Sequence, residues 1–410
     1  SSSVTTANVC VGAREYAEYD LGVRDDTVSV EFIVDDNVIA TEQFYVEKAI
    51  PSELKAGRVN ICESGEVFFV KCDSTEYEIS KSSGEIIKII ANGEEYGELN
   101  LNVWRAPIDN DMYIKEHWEK WFLDKAVPFV TDYTLGDEKV SFDIIVGHSA
   151  YLPLLKGTLT YNFGDNGLEI SLKYKVEERY FKFLPRLGFR IKLDKKYSKL
   201  RYLAYGPEET YSDMYEFAMK KEYFADVKDE YFHYVRPQES GSHYSTDYAE
   251  IADGKNAIRF EKLGSFSATG YDEHVLTNTP HDYELPDIDA TYFCADIRMS
   301  GLGTNSCGSL PTEEHRVPNE GDCSFRVVFK KDEFSKKMTK SAKNAGKGIK
   351  RFRIDSENYL AVKEEKTEEK EGDLIFNGEE DVFDNPIQIQ MDIGDSGNVS
   401  FTEKRQKKQK

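Results

Sequence analysis

Apolar and polar residues alternate with a period of two along much of the chain, the spacing of half-buried β-strands. Val28, Val30, Phe32 and Val34 alternate with Ser29, Glu31 and Asp35, and after a turn at Asp35-Asp36-Asn37 the period resumes at Val38, Ala40, Phe44 and Val46. This predicts a β-hairpin. Residues 1–50 are too few for a complete sandwich of roughly 100 residues. They read as part of a truncated immunoglobulin-like domain, the tail end of it. A proline linker at Ala49-Ile50-Pro51 leads into a second region, 51–332. Short strands are expected there at 68–72, 77–80 and 85–90, with turns at Ser82-Ser83-Gly84 and Ala91-Asn92-Gly93.

The clearest hairpin signal flanks Gly164-Asp165-Asn166-Gly167: Leu159, Tyr161 and Phe163 on one side, Leu168, Ile170, Leu172, Tyr174 and Val176 on the other. Leu187, Phe189, Ile191 and Leu193 mark another half-buried strand, and 325–329 the final strand of this region. One helix fits the spacing of Ile114, Trp118 and Phe122, with Trp121 beside them and Asp111 as its cap. A short second helix is expected after Asp213. The fold class is therefore all-β: a large antiparallel β-sandwich with little helix.

The last 80 residues carry 17 basic and 17 acidic side chains, so the preceding 330 hold the whole net charge of −22. Charge runs at 364–371 and 404–410 make 333–410 a solvated, mostly disordered tail, with strand-like pieces at 351–354 and 387–393. A field of −22 repels phosphate backbones, which argues against nucleic-acid binding. No run of 18 apolar residues exists to span a membrane as a helix. The start, Ser1-Ser2-Ser3-Val4, lacks the charged and apolar regions of a signal peptide. Cys10, Cys62, Cys72, Cys294, Cys307 and Cys323 form no Cys-x-x-Cys pair and read as reduced, mostly buried thiols of a cytoplasmic protein.

Four segments carry a family resemblance. Trp104-Arg105-Ala106-Pro107-Ile108-Asp109-Asn110-Asp111 resembles the W-R-A-P-x-D-N-D motif in the C-terminal domain of family 2 β-galactosidases. Tyr205-Gly206-Pro207-Glu208-Glu209-Thr210-Tyr211-Ser212-Asp213 and Tyr234-Val235-Arg236-Pro237-Gln238-Glu239-Ser240-Gly241 are similar to two further motifs of that domain. Gly301-Leu302-Gly303-Thr304-Asn305-Ser306-Cys307-Gly308 resembles a loop near its end. The resemblance implies a β-supersandwich of the galactose-mutarotase type over 51–332, preceded by the end of an immunoglobulin-like domain.

It also implies that the (β/α)8 barrel and both catalytic glutamates lie outside this chain. No alternation of strands with helices here would build a barrel. The implied role is non-catalytic: packing on the barrel, or on a large subunit, and completing the aglycone side of its pocket for galactosides. Gly301, Gly303, Asn305, Ser306 and Cys307 are the candidate substrate-facing residues. The loop has no aromatic residue, where the family's best-known member stacks a tryptophan on the second sugar, so a looser aglycone subsite is expected. Trp104, Arg105, Asp109, Asn110, Asp111, Glu209, Arg236 and Glu239 are read as structural motif residues before ligand contacts. The Mg²⁺ and Na⁺ of the intact enzymes belong largely to other domains, and none is carried over. Assembly into oligomers is expected. The alternative is a stand-alone carbohydrate-binding or mutarotase-like sandwich, with His233 or His281 working beside Glu239 or Glu284.

Overall fold

Strands form where the period-two pattern places them, and the alternating apolar positions of 159–176 and 187–193 are all buried. The computed structural model describes residues 27–34, 37–45, 50–180, 182–303, 310–335, 389–393 and 399–403. The chain divides into two units, one of residues 49–345 and one of residues 1–48 with 346–410. In the latter, β1 (Thr27–Val34) and β2 (Asn37–Tyr45) make the expected hairpin, with Thr27 opposite Tyr45.

The unit 49–345 begins with β3 (Asn60–Ser64), β4 (Val67–Lys71), β5 (Thr75–Ser80), β6 (Ile86–Ala91), β7 (Glu94–Tyr96) and β8 (Leu99–Asn102). A short helix, α1 (Lys115–Lys120), precedes β9 (Val127–Leu135), β10 (Lys139–Gly147), β11 (Leu155–Gly164) and β12 (Gly167–Val176). Then come β13 (Arg186–Asp194), β14 (Lys199–Gly206), β15 (Met219–Asp226), β16 (Ser242–Ala252) and β17 (Asn256–Thr269). Helix α2 (Glu273–Asn278), β18 (Ala290–Met299) and β19 (Glu320–Lys331) complete it.

Every pairing in this unit is antiparallel. One sheet runs β9, β10, β11, β12, β19, β17, β16, β14, β15. The other runs β3, β4, β5, β6, β8, β13, β18, β17. The long pair β16 and β17 belongs to both. Asn256 to Glu261 of β17 pair with β19, whereas Ser265 to Thr269 pair with β18. Between these halves Ser245 (φ 55°) and Lys262 (φ 64°) interrupt the ladder. Such bulges let a strand bend out of one sheet and into the next.

The inner faces of the two sheets share one core. Phe68 meets Phe142 at 5.9 Å between ring centroids, Tyr77 meets Phe163 at 5.3 Å, and Phe189 meets Phe325 at 5.4 Å. Leu168, Ile170, Leu172, Tyr174 and Val176 are all buried, as their alternation requires. The loop between β11 and β12 is the two-residue turn Asp165-Asn166, with Gly164 opposite Gly167.

The helix expectations need correction. Helix α1 is only six residues long, starts from Ile114 and has no side-chain cap. Asp111 does not cap it, because its carboxylate is taken by Arg105 and the Ile108 N–H. Phe122 lies beyond the helix in left-handed backbone (φ 56°) and stacks on His148. No helix follows Asp213, where a turn with a Tyr211–Met214 bridge stands instead. The second helix is α2, capped by Asp272, whose carboxylate accepts from the His274 N–H at 2.8 Å.

Within the tail, Ile389–Ile393 (β20) pairs with Val399–Glu403 (β21). The former overlaps the strand-like piece expected at 387–393. The piece expected at 351–354 and the charge runs at 364–371 and 404–410 lie outside the described residues.

Trp118 anchors the loop between the two sheets. It is fully buried, packs edge-on against Trp104 and Phe183, and its Nε1–H donates to the Phe183 carbonyl at 3.1 Å. Trp118→Ala removes the rings' partner and orphans that carbonyl. We expect it to lower unfolding stability by about 3–5 kcal/mol, read as a drop in the denaturant midpoint. A loss under about 1 kcal/mol contradicts the assigned role.

Candidate functional site

Four loops leave strand ends at the same end of the sandwich: the chain after β8, the β14–β15 connection, the chain before β16, and the chain after β18. These loops carry the four motif segments, and the structure ties them together. Arg105 lies fully buried. Its guanidinium reaches the Asp111 carboxylate at 3.1 and 3.2 Å, donates to the Gly301 carbonyl at 3.1 Å and also contacts the Ser300 carbonyl. Asn110 Nδ2 donates to the Leu302 carbonyl at 3.1 Å. The N–H groups of Leu302 and Gly303 donate to the two Asp213 oxygens at 2.9 and 2.8 Å.

Residues 301–303 are therefore held by side chains from two other motifs. Glycine is needed at 301, where a Cβ would fall 2.3 Å from Asp213 Oδ2, and at 303, whose φ is 109°.

The third motif joins through its backbone and through Glu209. The Asp109 N–H donates to Gln238 Oε1 at 3.0 Å, and the Glu239 N–H to the Ala106 carbonyl at 3.1 Å. Glu209 accepts from the Tyr211 hydroxyl and the Gly241 N–H, both at 3.0 Å, and from the Tyr234 hydroxyl. Behind this lies His243, fully buried, 2.6 Å from Glu230 Oε2 and 3.2 Å from the Tyr205 carbonyl. Nothing in sequence spacing pointed to that pair.

Beneath the loops sits Arg186, the first residue of β13, also fully buried. It reaches Glu239 at 2.9 Å, Glu273 at 3.1 Å and Asp296 at 2.9 Å. Glu273 also meets Arg190 at 2.6 Å and accepts from Asn102 Nδ2 at 2.5 Å. Three carboxyls thus crowd one guanidinium in a dry interior, and their environments push them apart. Burial, against the pull of Arg186, raises Glu239 to about 7, with Asp296 and Glu273 adding to the rise. Burial raises Asp296 to about 6, again opposed by Arg186. Glu273 is also penalised by burial, but Arg190 and Arg186 outweigh that and hold it at about 2. Sequence reading placed Glu239 in a motif but missed Arg186, Glu273 and Asp296, which lie in ordinary strand and helix positions.

Trp104, Arg105, Asp109, Asn110, Asp111, Glu209 and Glu239 all make contacts within this network. Trp104 Nε1–H donates to Thr277 Oγ1 at 3.3 Å, linking the first motif to α2. Arg236 and Glu208 are exposed instead. Gly301 and Gly303 form the root of the expected substrate loop; Asn305, Ser306 and Cys307 lie outside the described residues. Of the His and Glu pairs considered for a mutarotase, His281 with Glu284 meets, half-exposed at the surface, and the others do not. His233 pairs with Asp282 at 2.9 Å, His281 with Glu284 at 3.4 Å, and Glu239 is shut away on Arg186.

Among the described residues no group of three or more His, Cys, Asp or Glu side chains is placed to hold a metal ion. Of the described cysteines, Cys72 and Cys294 are buried, Cys323 is half-buried and Cys62 is exposed, and all four are free thiols. No helix among the described residues is long and apolar enough to cross a membrane.

The same end carries exposed apolar side chains. Met112, Tyr113, Phe217, Phe232, Val235 and Tyr283 all stand on its loops, with Val235 85% and Tyr283 82% exposed. The loop of Phe232 and Val235 adjoins that of Tyr283, since the Asp282 N–H donates to the Val235 carbonyl at 3.1 Å.

The buried carboxyls give this end a pH dependence of definite sign. A carboxyl raised in the folded state stabilises the fold below its unfolded value and loses that contribution as pH rises through its folded value. For Glu239 the window runs from 4.5 to about 7. Gln mimics the protonated acid, so Glu239→Gln should cost most at pH 5 relative to pH 8. We expect the wild-type advantage to shrink by roughly 1–3 kcal/mol across that range, read from urea midpoints at each pH. A pH-independent difference contradicts the assignment.

Comparison with known proteins supplies the family. The family described as "Beta galactosidase small chain" matches residues 71–329, a span that contains all four motif segments. The Beta-galactosidase of Actinobacillus pleuropneumoniae is 31% identical over 268 residues, 62% of this chain and 26% of that protein. That of Staphylococcus xylosus is 33% identical over 236 residues, 56% of this chain and 24% of that protein. The chain thus spans about a quarter of the length of these curated relatives. Among solved structures, an alpha-mannosidase from Enterococcus faecalis V583 is loosely similar, at 10% identity and a TM-score of 0.36, over 80% of this chain and 38% of that one. With the family matched across more than half of its length, the chain belongs to the beta galactosidase small chain family.

Proposed function

We propose that this chain is the non-catalytic C-terminal part of a family 2 β-galactosidase, which hydrolyses terminal β-D-galactose residues on a (β/α)8 barrel formed by other polypeptide. The sandwich packs against that barrel, and residues 301–308 wall the aglycone side of the sugar pocket. The β1–β2 hairpin is the end of an immunoglobulin-like domain. The Mg²⁺ and Na⁺ of such enzymes sit largely in other domains, and the whole works as a cytoplasmic oligomer on galactosides such as lactose.

One observation carries this reading: two motif segments, themselves tied to the third, hold the root of the fourth, 301–303, at a single end of the sandwich. That is what a loop needs if it is to be presented in fixed geometry to a site elsewhere. Two facts support it. The exposed apolar side chains on this end suit a surface that another domain covers. The three carboxyls around Arg186 are buried: Glu239 is 4% exposed, Glu273 5% and Asp296 0%. Retaining hydrolysis needs two carboxyls about 5–5.5 Å apart that both touch the sugar, and a carboxyl sealed behind a guanidinium cannot do so. The mutarotase alternative has only the half-exposed His281–Glu284 contact behind it.

The purified chain should release no nitrophenol from a nitrophenyl β-galactoside, whereas the same chain joined in frame to its barrel should. Turnover by the chain alone overturns the reading. So does catalytic acceleration of the optical rotation change of freshly dissolved α-galactose, which would assign the sandwich its own sugar chemistry.

A further inference from the structure

The segment that leads into the sandwich is gripped by the tip of the β11–β12 hairpin. The Lys55 N–H donates to Asn166 Oδ1 at 2.9 Å, and Asn166 Nδ2 donates to the Glu53 carbonyl at 3.1 Å. The Asp165 N–H donates to the Lys55 carbonyl at 2.8 Å. One asparagine side chain thus serves two backbone groups of an extended segment, two residues apart, as a neighbouring strand would. The tip is itself fixed. The Asn166 carbonyl accepts from the Phe329 N–H at 2.7 Å, and the Asp165 carbonyl from Thr75 Oγ1 at 3.2 Å. The fit is close: a Cβ on Gly57 would fall 2.7 Å from the Asp165 backbone, and one on Gly164 2.4 Å from the Lys55 carbonyl.

Charge completes the grip. The Glu53 carboxylate lies 2.7 Å from Lys330 Nζ and 3.7 Å from Arg259 Nη1, while its N–H donates to Glu261 Oε1 at 3.1 Å. Arg259 is held in turn by Glu250 at 2.8 Å and Glu261 at 2.9 Å, and lies over the Tyr248 ring at 3.8 Å. The receiving cations are mostly covered, but the Glu53 side chain is 40% exposed. Dissolved ions therefore reach the segment's side of the pair.

We propose that residues 52–57 form an electrostatic strap, a latch that fixes the path of the chain into the sandwich and opens as ionic strength rises. Its hold is a few aimed hydrogen bonds and one ion-pair cluster, with Leu54 over Gly164 as its apolar contact. Such a hold is local and weak compared with the core, so the strap can release while the sandwich stays folded. Release of six residues frees about 20 Å of extended chain. This inference uses no part of the galactosidase reading and stands or falls separately from it.

Trypsin cleaves after Lys55 and Arg58, which makes the strap directly readable in the full chain. Cleavage after Lys55 and hydrogen exchange at the Glu53 and Lys55 amides are followed at about 50 mM and about 500 mM salt, with a free 49–58 peptide as the cleavage reference. In the wild type, cleavage relative to that peptide should be slow at low salt and about fivefold or more faster at high salt. Asn166→Ala should speed it about tenfold at both salts, and Glu53→Gln should remove the salt dependence. An unchanged thermal midpoint shows that the sandwich survives each change. Should Asn166→Ala fail to fold, Glu53→Gln, at a partly exposed side chain, decides alone. Equal cleavage and exchange in wild type and variants, or a wild-type Lys55 amide that exchanges freely, overturns the proposal.

Discussion

The loop end of the sandwich depends on one buried guanidinium. Arg186 stands at the start of β13, opposite Met299 of β18, and touches carboxyls from three places in the chain: the third motif, helix α2 and strand β18. A charge in a dry interior is tolerated only if it is paired and hydrogen-bonded. Removing any partner leaves the others uncompensated, so the three segments are bound to a common geometry. Arg105 repeats the device one layer outward, with Asp111 and the carbonyls of Ser300 and Gly301 as its acceptors. Two arginines, with Asp213 and Glu209 from the β14–β15 connection, thus convert four separate loops into one platform.

Period-two alternation placed β4, β5, β6, β11, β12, β13 and β19, because each buries one face in a common core and the pattern records which face, but it left β7 to β10 and β14 to β18 unmarked. The β11–β12 hairpin was the best case, since Asp165-Asn166 flanked by glycines left a single turn to make. The helices were misread for a physical reason. Ile114 and Trp118 do share a helical face, but Phe122 falls in left-handed backbone, Asp111 spends its carboxylate within its own loop on Arg105 and the Ile108 N–H, and Asp213 spends its own on the distant residues 302 and 303. A capping residue and a long-range acceptor look the same in sequence.

The site was half legible. Motif residues such as Arg105, Asp109 and Glu239 were named from their segments, and the structure gives each a partner. Arg186, Glu273, Asp296 and the His243–Glu230 pair were not, because they sit singly in strands, a short helix and loops where spacing carries no signal. Their meaning comes from which residues face one another across β8, β13 and β18, and only the register supplies that.

The strands β16 and β17 have a mechanical consequence. Because the pair is woven into both sheets, neither layer can slide or pivot over the other without breaking ladder bonds in both. The body of the sandwich is therefore a stiff jig, and accommodation to anything that meets its loop end must come from the loops themselves.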